Sequence, residues 1–204
     1  MAETLDDVVC AIRACRHCIE SPQGKPLPHE PNPVLRVSKS ARICIAGQAP
    51  GTRVHASSIP FADPSGVRLR DWLQVSEEEF YDESCIAIVP MGFCFPGLDA
   101  KGGDLPPRRE CTKMWHERLF AHLPQIELFV LVGVYAHRWY LGKEIGKRVS
   151  ETVGDWRSYA NAEPVPSIPL PHPSWRNNGW LKKNPWFERD VLPHLRTKVR
   201  WLLA

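Results

Sequence analysis

Four short apolar runs constrain this chain more than any other feature. Arg42 to Ala46, Cys85 to Val89, Leu128 to Val132 and a stretch at Ile168 to Leu170 are apolar at consecutive positions rather than alternate ones. A strand with one wet face alternates, whereas a strand apolar on both sides must be covered on both, as happens in parallel sheets. Helix candidates lie between the runs: Ser65 to Leu73, Val134 to Leu141, and Pro107 to Leu123 with Cys111, Trp115, Leu119 and Leu123 on one side. Strand and helix alternate, which predicts an α/β fold built on a central four-stranded, mainly parallel sheet.

The flanks read as helices. Thr4 followed by Asp7 has the form of an N-terminal cap, and Leu5, Val8, Val9 and Ile12 recur at helical spacing, delivering Cys15 and Cys18 to the helix end. The last helix is expected to start with Asn184 as cap and Pro185 at its first position. It would bury Phe187, Val191, Leu195, Val199 and Leu202, with a kink at Pro193. With 204 residues, 43% of them hydrophobic, the chain suffices for one core, so residues 1–204 are expected to form a single domain. That hydrophobicity and a net charge of +3 exclude a disordered chain, a collagen-like repeat and a highly cationic coat protein. Twenty prolines imply many fixed turns, and eight tryptophans offer flat stacking surfaces.

The longest apolar run, Leu128 to Ala136, falls well short of the roughly 20 residues of a membrane helix, so no membrane contact is expected. The acidic start, Met1 to Asp7, lacks an apolar signal core, which predicts a cytoplasmic location. Seven cysteines in such a chain point to metal or cluster ligation rather than disulfides. Charge is uneven: from His172 to Ala204 seven Lys or Arg face two Asp or Glu. This basic segment is either a solvated helix surface or a patch that meets a polyanion.

Ligands of open parallel sheets bind beyond the carboxyl ends of the strands. There the chain has Gly47-Gln48-Ala49-Pro50-Gly51 after the first run, Met91-Gly92-Phe93-Cys94-Phe95-Pro96-Gly97 after the second, Gly133 after the third, and Pro171-His172-Pro173-Ser174-Trp175-Arg176-Asn177 after the fourth. Each alone is an ordinary turn; their order and spacing together are more specific. Cys10 reads as a packing residue of the first helix, and Cys44 and Cys85 as core residues of strands.

These segments resemble the uracil-DNA glycosylase superfamily, most closely its iron–sulfur families 4 and 5. The resemblance rests on GQAPG at 47–51, Pro60-Phe61-Ala62-Asp63 with Ser65-Gly66, and His172-Pro173-Ser174, and it covers most of the chain. It implies a three-layer α/β/α sandwich and a DNA-repair hydrolase that flips deoxyuridine out of DNA and cleaves its N-glycosidic bond. The four cysteines Cys15, Cys18, Cys94 and Cys111 match the family's [4Fe-4S] pattern, which favours a structural cluster over zinc.

By the same resemblance His172 hydrogen-bonds the uracil oxygen as charge builds there, and Phe61 stacks on the flipped base. Asp63 positions water or faces the oxocarbenium charge; it is equally placed to cap the following helix. Ser174 would bind a phosphate, the segment Trp175-Arg176-Asn177 occupies the place from which a side chain enters the gap left by the base, and Arg176, Lys182 and Lys183 would meet the DNA backbone. Two departures stand out. The acidic position of family 4 within the first loop holds Gln48, and its base-reading Asn is replaced by Pro90. Base recognition is therefore expected from backbone groups at Gln48, Met91 or Gly92, or from a side chain elsewhere. His55 is expected on an exposed loop. Two rival readings are a damage-binding module without turnover and a zinc-stabilised protein unrelated to DNA; activity on another deaminated base is a further alternative.

Overall fold

The computed structural model describes residues 3–142 and 145–204; Met1 and Ala2, part of the acidic start, lie outside the described residues. In chain order the elements are α1 (Leu5–Arg13), α2 (His17–Glu20), β1 (Ile43–Ala46), α3 (Thr52–Ser57), α4 (Pro64–Leu73), α5 (Glu77–Tyr81) and β2 (Ile86–Ile88). There follow α6 (Arg109–Phe120), β3 (Leu128–Val132), α7 (Val134–Tyr140), α8 (Val149–Gly154), α9 (Trp156–Ala160) and β4 (Ser167–Leu170). A 3-10 turn (Trp175–Asn177), α10 (Asn178–Lys183), a π-helical turn (Phe187–Val191) and α11 (Leu192–Leu203) complete the chain.

The strands pair in the order β2-β1-β3-β4, all parallel. Ile43 stands opposite both Ile86 and Leu128, and Phe129 opposite Ser167. Because β2 and β3 lie on opposite sides of β1, their connections leave in different directions and a crevice opens beyond the carboxyl end of β1. The strands are buried on both faces, as their uninterrupted apolarity requires, but the faces differ. Ile43, Ile45, Ile88, Val130 and Ile168 pack bulky side chains against α4, α9 and α11. On the other face the smaller Cys44 and Ala87 leave room for α1 and α6, which bring Val8, Ile12, Trp115 and Leu119. Helices on both faces give the expected α/β/α sandwich. Among the described residues, no helix is long and apolar enough to cross a membrane.

Local signals explain several boundaries. Thr4 and Asp7 form a reciprocal capping box at α1, and Ser76 and Glu79 form another at α5, a helix whose Ser-x-x-Glu signature is plain in the sequence. The helix expected over residues 107–123 is confined to Arg109–Phe120. The expected last helix also differs. Asn184 donates its Nδ2 to Trp180 O at 2.8 Å and so closes α10 instead of capping the next helical segment. The chain then takes a π-helical turn ahead of Pro193 in place of a kink at it. Pro193 has no N–H and its ring crowds the preceding turn, which the wider π spacing relieves.

Candidate active site

The loops beyond β1 and β4 enclose a pocket of about 490 Å³ whose walls include Gln48, Phe61, Asp63, Asp104, His172 and Arg176. Phe61 is held there under strain. Its φ of 57° is a left-handed value that bulky side chains rarely adopt, and such values persist only where the surroundings impose them. Two glycines make room for it. A Cβ on Gly66 would lie 1.8 Å from Phe61 O, and one on Gly47 would lie 3.3 Å from the ring atom Cζ. Phe80 supports the ring edge-on at 6.0 Å, and Tyr81 donates its hydroxyl to Pro60 O at 2.9 Å.

Asp63 is the helix cap that the sequence allowed, and it also borders the pocket. Its Oδ1 accepts the Gly66 N–H at 3.0 Å as the N-cap of α4, with Pro64 in the first turn. His172 follows β4 and lies beside Gly133, whose φ of 83° demands a glycine. Burial lowers the His172 pKa, and the carboxylates of Asp63 and Asp104 pull it back up. Asn177 donates Nδ2 to His172 O at 2.7 Å, so it braces the turn rather than facing the pocket. Arg68 of α4 donates to Ser174 O at 3.1 Å and ties the two motif loops together. Ser174 and Trp175 reach the pocket rim, Trp175 being 73% exposed with the Arg176 guanidinium 5.9 Å from its ring centre. Lys182 and Lys183 lie on α10, directly after this turn.

Met91 and Gly92 are not brought to the pocket wall. Their N–H groups donate to Gly47 O at 2.9 Å and Gln48 O at 3.1 Å, the Met91 side chain is 2% exposed, and Pro90 lines the pocket instead. These two residues fasten the second loop to the first and have no free donor for a base. Gln48 itself donates Nε2 to Leu105 O at 3.2 Å. His55, expected on an exposed loop, is half-buried on α3. Its ring lies 4.1 Å from that of His29 and 5.9 Å from Phe95, and burial, with His29 nearby, lowers its pKa.

Asp104 is a pocket residue that the sequence motifs do not flag. It sits on the excursion between the second loop and α6, where no periodicity marks it, and its only local signal is the turn chemistry of Gly102-Gly103-Asp104. Desolvation raises its pKa against the opposing pull of Arg176 and His172.

A second, smaller cavity is lined by Cys15, Cys18, Cys94 and Cys111 together with Phe93 and Arg108. Burial pushes the Cys94 thiol up to about 12 and raises Cys18 and Cys111 too. The Phe93 N–H points to Cys111 Sγ at 3.4 Å, and the Asn32 N–H bonds Cys94. The same Asn32 donates Nδ2 to His55 O at 2.7 Å and to Ser58 Oγ at 2.8 Å, linking this cavity to α3. Among the described residues, no three His, Cys, Asp or Glu side chains close on a point that would hold a single metal ion. The four cysteines share the lining of this cavity. Of the remaining cysteines, Cys44 is buried as expected, but Cys10 faces solvent and Cys85 is only partly buried, its Sγ 3.6 Å from Asp82 Oδ2. Cys10 lies on the outer face of α1 and is not the packing residue expected, whereas Cys85, just before β2, packs against the edge of the core.

A family model for the uracil DNA glycosylase superfamily matches residues 36–196. The match runs from just before β1 into α11, so it takes in the whole sheet and both loops of the pocket, and this chain belongs to the uracil DNA glycosylase superfamily.

Proposed function

We propose that the chain is a monofunctional uracil-DNA glycosylase that binds deoxyuridine flipped from DNA and hydrolyses its N-glycosidic bond. Membership of the superfamily makes it a hydrolase of the DNA-glycosylase type, acting on DNA. The single observation that carries the finer reading is the pocket in which Phe61, Asp63 and His172 meet around about 490 Å³, room for one base and its sugar. Breaking the bond leaves positive charge on the sugar and negative charge on the departing uracil, so the two must be met by groups of opposite kind. His172, held neutral by burial, donates to the uracil oxygen where the negative charge collects. Asp63, with Oδ1 engaged in its cap, turns Oδ2 to the sugar and orients the water that reaches C1′. Phe61 offers a flat face for the base, and Gln48 a polar edge. Trp175 is the wedge for the vacated stack, and Arg176, Lys182 and Lys183 neutralise phosphates.

The cysteine cavity is proposed to hold a structural [4Fe-4S] cluster. Four soft donors lining one cavity suit an iron–sulfur cluster, and zinc is the alternative occupant for the same set. Cys15, Cys18, Cys94 and Cys111 would hold it, with the Phe93 and Asn32 amides bonding two of the sulfurs. Its contribution is to pin α1 and the second loop; no step of hydrolysis passes through it. The protein is read as a cytoplasmic monomer.

The test is alkaline cleavage of labelled oligonucleotides carrying one uracil, single-stranded or opposite G or A, after incubation with anaerobically purified protein. Base release that is lost in Asp63→Ala and His172→Ala is expected. Binding without release would favour a damage-binding module. Release of hypoxanthine or xanthine instead would move the reading to a glycosylase for another deaminated base, in keeping with Pro90 at the position of the family's Asn.

A further inference from the structure

We infer that Asp104 is the group that takes the proton from the hydrolytic water, a second catalytic carboxylate facing Asp63 across the pocket. The inference rests on the glycosylase reading above and assigns a residue that neither motif loop contains.

Its placement is built rather than incidental. Asp104 pairs with Leu98 in an isolated antiparallel bridge, and the segment is closed by Asp99 N–H to Gly103 O at 2.7 Å and Leu105 N–H to Gly97 O at 2.9 Å. The Gln48 side chain reaches Leu105 O, so the first motif loop clamps the residue next to Asp104. A Cβ on Gly51 would lie 3.5 Å from Asp104 Oδ2, which places the carboxylate directly over the end of that loop. It lines the same pocket as Asp63 and His172.

The two carboxylates are not equivalent. Asp63 spends one oxygen on the α4 cap. No hydrogen bond or ion pair among the described residues engages the Asp104 carboxylate, so both its oxygens are free for water. The charged groups that face it are Arg176, His172, Asp63 and Asp99. Desolvation and the two neighbouring aspartates raise its proton affinity, and Arg176 and His172 oppose them. A carboxylate of raised proton affinity, with both oxygens unengaged beside the reacting sugar, accepts a proton in the transition state more effectively than an ordinary one.

Atoms and electrons balance in the step. The C1′–N1 bond breaks with its electron pair leaving on uracil, whose oxygen is held by His172. Water, oriented by Asp63, bonds through oxygen to C1′ and gives one proton to Asp104. That proton then passes to the departing uracil anion or to solvent, leaving the C1′ hydroxyl of an abasic site and restoring the carboxylate.

The experiment compares wild type, Asp104→Asn, Asp104→Ala and Asp63→Asn by single-turnover release of uracil across pH. Affinity for an oligonucleotide with uncleavable 2′-fluoro-deoxyuridine and the thermal midpoint are measured alongside. Asp104→Asn is expected to slow release by about 100-fold or more with affinity and midpoint unchanged. It should also abolish the acid limb of the wild-type pH–rate profile, and added formate should restore part of the rate in Asp104→Ala. Asp104→Asn retaining more than about a third of the wild-type rate, or the same acid limb, would overturn the assignment while leaving the glycosylase reading intact. A wild type that releases no base would overturn both.

Discussion

Replacing Gly66 by Ala separates two physical arguments that disagree in sign. Gly66 lies in the first turn of α4, where helix propensity alone favours Ala by up to about 1 kcal/mol. The added methyl, however, would lie 1.8 Å from Phe61 O and 2.8 Å from Phe61 C, both backbone atoms that cannot swing aside. The two segments must part by more than about 1 Å, a displacement that in a packed site costs of the order of 1–3 kcal/mol. The Gly66 N–H survives the substitution, so the Asp63 cap remains and the effect falls on Phe61. For a chain of this size a loss of about 2 kcal/mol lowers the melting temperature by about 4–8 °C. A shift of that length in the residue that faces the base should slow excision by about 100-fold. Gly47→Ala is the control: its methyl meets only the tip of the Phe61 ring, at 3.3 Å, which can tilt. Calorimetry and single-turnover excision decide the matter. A Gly66→Ala protein that melts at or above the wild-type temperature and excises within threefold of it would refute the claim that this glycine exists to admit Phe61.

Three other outcomes are expected. Serine at Cys15, Cys18, Cys94 or Cys111 should remove iron and visible absorbance from anaerobically purified protein, whereas Cys10→Ser should not; iron retained in all four variants would exclude these ligands. Lys182→Ala with Lys183→Ala should weaken binding equally to uracil-containing and undamaged DNA and flatten the log-affinity against log-salt slope by about 1–2; an effect confined to uracil-containing DNA would contradict a backbone role. The third concerns acid. Buried His116 and His137 bond the carbonyls of Pro90, and of Leu131 and Leu170, and burial depresses both pKa values to about 4. The folded protein keeps them neutral while the unfolded chain protonates them near 6.5, so their contribution is complete above about pH 6.5 and is lost as pH falls towards 4. Urea denaturation should show a loss of roughly 2 kcal/mol per histidine between pH 7.5 and 5. His137→Gln should remove about half of that slope, and a flat profile would sink the account.

Legibility in the sequence tracks the range of the interactions involved. β3 begins and ends where its apolar run does, and the Thr4 cap of α1 and the Asp63 cap of α4 are visible because each is settled within a few residues. The two motif loops can be placed at strand ends for the same reason. Strand order, by contrast, depends on which distant segments pair, and no local pattern encodes it. The direction faced by Met91 and Gly92 differs from expectation because a loop has no period to fix it; their amides turn to Gly47 and Gln48. Asp104 is silent in the sequence because its meaning arises only when the excursion that carries it folds back over Gly51. The π-helical turn before Pro193 shows a related limit: proline announces a disturbance, and packing of Phe187 and Val191 decides its form.

The position of Asn32 has a practical consequence for anyone preparing this protein. One residue of irregular chain bonds Cys94 through its amide and α3 through its side chain, and it belongs to none of the hydrophobic clusters around the sheet. Cooperative units of a protein open separately when few contacts join them. Damage at the cysteine cavity should therefore free α3 and slacken the front of the base pocket while leaving the main body folded. Such a sample would keep much of its far-ultraviolet spectrum, yet be inert. Amide exchange in residues 52–58, rather than any global measure of folding, is the proper test of sample quality.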